Sequence, residues 1–155
     1  MDHAHHHGSD SQTRAAIQAT LHCLTGCAIG EILGMVLSAA FGLGNALSIL
    51  VSVLLAFVFG YALTLRPVIA AGVAPRRAMR LAIASDTVSI ATMELVDNAF
   101  ILLVPGAIAA GLADGLFWWS LLVSLAIAFV LTVPVNRWLI VRGRGHAVMH
   151  ELHAH

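Results

Sequence analysis

Four long apolar runs, near residues 15–41, 46–65, 79–104 and 116–140, constrain this chain more than any other feature. Each is long enough to cross ~30 Å of hydrocarbon as a helix rising ~1.5 Å per residue. Inside hydrocarbon a segment must satisfy its own backbone N–H and C=O groups, so each run is expected to be helical. The strict alternation of a membrane barrel strand is absent. The expected fold is therefore all-α, a four-helix transmembrane bundle over residues 15–141. His-rich tails at 1–14 and 142–155 flank it. A chain that is 59% hydrophobic and 10% charged is neither disordered nor suited to water on all sides. The first run carries His22, Cys23, Cys27 and Glu31, which a cleaved leader would not need, so it is expected to be a retained span.

Orientation follows from arginine, since the sequence holds no lysine. Arg14 precedes the first run. Arg66, Arg76, Arg77 and Arg80 lie between or at the edges of the second and third, and Arg137, Arg142 and Arg144 close the fourth. The connections at 42–45 and 105–115 hold no basic residue. The positive-inside rule makes the arginine side cytoplasmic and places both termini there. Trp118, Trp119 and Trp138 are spaced as anchors at the two interfaces. Formal net charge is zero, which gives no general case for nucleic acid as a partner. The lipid bilayer is the expected surrounding.

The apolar runs are interrupted by acids. Glu31 sits in the first, and Asp86, Glu94 and Asp97 sit in the third. An ionised side chain at the bilayer centre costs roughly 2.5–3.5 kcal/mol on insertion scales. Arg77 or Arg80 is within reach of Asp86 from the membrane edge. Glu94 and Asp97 are too deep for that, and must be protonated, share a proton or hold a cation. Cys23, Cys27 and Glu31 recur every fourth residue and so share a helix face, with His22 about a quarter-turn away. Thiolate, imidazole and thioether donors suit Zn²⁺ and Cu⁺, so His22, Cys23, Cys27, Glu31, Asp86, Met93, Glu94 and Asp97 form a candidate transition-metal set. The competing reading makes the cysteines small hydrophobes and Met93 core. Gly26, Gly30 and Gly34 form overlapping small-xxx-small units, which let a partner helix approach the cysteine–glutamate face. If runs one and three lie parallel at matched depth, Glu31 stands level with Glu94, Cys27 with Ile90 and Cys23 with Asp86. The two hairpins would then form a parallel repeat. Runs two and four, nearly apolar, are expected to form the lipid-facing wall. Pro134 is expected to kink or end the fourth, and the stretch from Arg66 to Pro75 reads as a short interfacial segment.

His3, His5, His6 and His7 open the chain, and His146, His150, His153 and His155 close it. In a helical tail His146 and His150 share a face with His153 one turn on, which is a chelating arrangement for metal capture. The alternative is a solvated, pH-responsive tail.

The stretches HCLTGC, GEILG, SDTVSIATMELVDN, PVNRWLI and RGRGHAVMH together resemble a family of short bacterial four-span membrane proteins catalogued as a domain of unknown function. The likeness runs from about Leu21 to the C-terminus. It implies a four-helix fold in the bacterial inner membrane and transfers no catalytic residue. The leading functional expectation is a protein that binds and moves a transition-metal cation, Cu⁺ or Zn²⁺, as a homo-oligomer. A metal-dependent intramembrane enzyme or redox protein is a second expectation, although no nucleophile set is recognisable. A proton-coupled carrier or assembly factor with structural cysteines is the third.

Overall fold

The computed structural model describes residues 4–142, with side chains from residue 10 onward. Among the described residues the chain forms four α-helices: α1 (Ala4–Phe41), α2 (Asn45–Ala70), α3 (Pro75–Leu103) and α4 (Gly115–Val141). A single 3-10 turn, Ala107–Ala109, lies between α3 and α4. Helical geometry in α1 begins at Ala4, well before the expected span start at residue 15. His3, His146, His150, His153 and His155 lie outside the described residues, and so does the chelating tail expected of them.

The turns follow from residue types that permit a left-handed backbone. Gly42 ends α1 at φ +63, and the Leu43 N–H bonds the Ser38 carbonyl at 2.9 Å. Gly72 ends α2 at φ +87, with its N–H on Ile69 and that of Val73 on Val68. Both pair the last free carbonyls in the manner that glycine at this position allows. Pro75 opens α3, where its missing N–H has no intrahelical partner to lose. The stretch from Arg66 is helix up to Ala70, with Pro67 inside it. At Pro67 the helix is already ending, so one lost backbone bond costs it little. Pro134 does not end α4, which continues to Val141; flanking helices let membrane spans absorb such a break.

The four helices run alternately up and down, in the cyclic order α1–α2–α3–α4. Gly26, Gly30 and Gly34 of α1 meet Gly60, Ala56 and Ser52 of α2 in that order, which fixes an antiparallel pair. The approach is so close that a Cβ on Gly30 would lie 2.3 Å from the Ala56 nitrogen. The small-residue ladder of α1 thus serves α2, while α1 and α3 face each other across the middle of the bundle.

The interior mixes small, polar and apolar side chains, and many bulky apolar residues point outward. Buried side chains follow every fourth residue on α2 (Ala56, Gly60, Thr64, Val68) and on α4 (Ser120, Ser124, Ala128, Thr132, Asn136). Phe41, Leu54, Val58, Leu95, Leu122 and Val130 are exposed, Leu95 by 73%. A fold that turns its large apolar side chains outward presents them to lipid, not water. The expectation that α4 acts as a plain wall is corrected by its stripe, which buries Ser120, Ser124, Thr132 and Asn136; that of α2 is small and nearly apolar. Among the described residues, three helices are long and apolar enough to cross a membrane: α1, α2 and α4. The protein is a membrane protein on that ground. α3 has the length, at 29 residues, but carries Arg76, Arg77, Arg80, Asp86, Glu94 and Asp97. Its acids are buried among the other helices.

Candidate functional site

Three carboxyls line one cavity in the core. Glu31 projects from α1, and Glu94 and Asp97 from successive turns of α3; all three are buried. The Glu31 and Asp97 carboxyls lie within hydrogen-bonding reach of each other. Two carboxyls bond each other only through a shared proton, since an ionised carboxylate accepts and does not donate. Ser124 of α4 donates its hydroxyl to Asp97 Oδ1. No fixed donor reaches either oxygen of Glu31 or of Glu94. The neighbour of Glu94 is the Cys27 thiol, and Cys27 Sγ stands 4.0 Å from Met93 Sδ.

Glu31 has both Glu94 and Asp97 beside it. Cys27 meets Met93 and Glu94 and packs in one cluster with Ile90, and Cys23 lies near Asp86.

Below the carboxyls, toward the arginine end, the core closes. Cys23, Cys27, Ala56, Ile90, Met93 and Ala128 pack as one apolar cluster. In this setting both cysteines, free and buried, occupy space as small hydrophobes do. Asp86 is buried in the same half and accepts the Ser85 hydroxyl at 2.6 Å. A polar junction ties three helices at the same end. Ser89 donates to Asn136 Oδ1, Asn136 Nδ2 donates to Thr20 Oγ1 at 2.8 Å, and Thr20 donates to the Ala16 carbonyl. His22 is only partly buried on α1. Among the described residues no three His, Cys, Asp or Glu side chains already converge as a metal site.

Above the carboxyls the bundle opens. A cavity of about 70 Å³ runs from the helix connections, where Asn45, Ala107 and Ile108 line it, to Glu31, Glu94 and Asp97. Met35, Ile49, Ile101, Phe117 and Leu121 form apolar walls, and Ser48, Ser52, Asn98 and Ser120 add polar points. No basic side chain lines it. The Ser120 hydroxyl is buried there and has no hydrogen-bond partner. Ser120 and Ser124 were not expected in the site. The available signal was their place in the fourfold repeat of α4, which ends at Asn136.

The family described as a domain of unknown function, DUF4396, matches residues 12–145. The chain belongs to the DUF4396 family. That span takes in every helix from the middle of the first turns of α1 to the end of α4, and with them the whole carboxyl cluster. No curated protein and no solved structure matches the chain. The site of this DUF4396 protein is therefore to be understood from its own side chains.

Proposed function

We propose that this DUF4396 protein binds a cation within the membrane at Glu31, Glu94 and Asp97 and carries it across. The observation that supports this is that three buried carboxyls line one open cavity with no basic residue in its lining. Uncompensated acids in a low-dielectric interior call for positive charge. A transition-metal cation is the cargo that the adjacent sulfurs suit. Thiol with carboxylate favours Zn²⁺ or Fe²⁺, and Cys27 with Met93 favours Cu⁺. His22, Cys23 and Asp86 would serve as a further station toward the arginine end.

A second reading is favoured by the contact between Glu31 and Asp97. That pair has the arrangement of two acids sharing one proton, as in a proton-coupled carrier whose cysteines only pack. Membrane placement extends the same reading. α3 crosses as a fourth span with its acids turned inward. The exposed residues Arg14, Arg66, Arg76, Arg77, Arg80, Arg137 and Arg142 mark the cytoplasmic end of a bacterial inner membrane. The cavity then opens on the opposite side.

Elemental analysis of purified protein lacking the terminal histidines tests the metal reading. It predicts stoichiometric metal that is lost in Cys27→Ser and in Glu94→Gln. Metal-free protein after exposure to Zn²⁺ and to Cu⁺ would leave the proton-coupled reading in its place.

A further inference from the structure

The cavity above the carboxyls has a chemistry of its own. Its walls are largely apolar, with Met35, Ile49, Ile101 and Phe117 among them, and its volume is about 70 Å³. The end of the cavity is polar. There no fixed N–H or O–H donor reaches either oxygen of Glu31 or of Glu94, and the Ser120 hydroxyl has no hydrogen-bond partner. Glu31 is 7% exposed, Glu94 5% and Ser120 2%, so these atoms cannot turn to bulk water. What they lack is N–H or O–H donors carrying positive charge, presented by a body that the apolar walls can hold.

We infer that the cavity binds a protonated organic amine, its ammonium N–H groups on Glu31 and Glu94 and its hydrocarbon body against Ile49, Ile101 and Phe117. This rests on the cation-binding reading of the carboxyls and adds a ligand class to it, beside the metal that the sulfurs suit. A primary ammonium supplies three donors. A quaternary ammonium has the charge but no donor, and a neutral alcohol has a donor but no charge. The site therefore ranks the three, with the primary ammonium first.

The test is equilibrium dialysis on the full chain in nanodiscs of zwitterionic lipid, against empty nanodiscs. The probes are n-butylammonium, n-butyltrimethylammonium, n-butanol and, separately, Zn²⁺. The expected result is saturable n-butylammonium binding, at least about tenfold tighter than either comparison probe and weakened about tenfold or more in Glu31→Gln. Ile108→Trp narrows the mouth while leaving every carboxyl in place, so it should abolish amine binding without abolishing Zn²⁺ binding. Equal binding of n-butanol would overturn the inference, because the cavity would then be merely apolar. Zn²⁺ binding with no amine binding would overturn it while leaving the cation reading intact. Binding of neither would remove both.

Discussion

At the scale of single residues, the question for any carboxyl in hydrocarbon is what neutralises it. Asp97 has a hydroxyl donor in Ser124 and a carboxyl neighbour in Glu31. Glu94 has a thiol neighbour and no fixed donor. Interhelical hydrogen bonds within membranes average about 0.6 kcal/mol and reach about 1.7. Ser124→Ala, which removes one such bond, should lower stability by about 1 kcal/mol in a mixed-micelle unfolding titration. Asn136→Leu removes the partner of both Ser89 and Thr20 and should cost more, about 2 kcal/mol in the same titration. Equal stability in both variants would show that these contacts do not hold the helices. The acids were legible in the sequence because charge inside an apolar run is conspicuous. Ser120 and Ser124 were not, since a lone hydroxyl in such a run usually bonds its own backbone. Only their fourfold spacing with Thr132 and Asn136 distinguishes them.

At the scale of helices, packing is set by where side chains are absent. Gly26, Gly30 and Gly34 form the α1 side of a contact whose α2 side is Gly60, Ala56 and Ser52. With a Cβ at Gly30 only 2.3 Å from backbone, Gly30→Val must separate the two helices. Overpacking of this kind costs typically 1–3 kcal/mol, and roughly the upper end or more is expected where the obstacle is backbone. Gly44→Ala, with nothing within 4 Å and φ −71, should change stability by less than about 0.5 kcal/mol. A thermal unfolding series on the two variants separates packing from loss of glycine as such. Helix number and the connections at 42–45 and 105–115 were legible from apolar length. The partner of the glycine ladder was not. A stripe of small residues declares that something packs closely, and does not declare which helix or at what height.

At the scale of the whole molecule, the bundle holds polar groups within, is apolar without and is charged at one end. Cytoplasmic placement of that end predicts a labelling pattern in cells. In a chain with Cys23→Ser and Cys27→Ser, Gly44→Cys should react with a membrane-impermeant maleimide added outside, and Ala71→Cys should react only after lysis. The reverse pattern would invert the protein and turn the cavity toward the cytoplasm. The general architecture followed from hydropathy, because four long apolar runs leave a chain of this size few alternatives. The carboxyl cluster was only partly foreseeable, since it assembles across the middle of the bundle between helices that are not adjacent in sequence. Its role is tested most directly by cation flux in proteoliposomes containing a trapped zinc-sensitive dye, with Zn²⁺ added outside. The wild-type chain should fill the vesicles saturably, and Glu31→Gln and Glu94→Gln, inserted to the same level, should reduce the rate about tenfold or more. Undiminished flux in both variants would contradict a carboxyl-lined cation path through this protein.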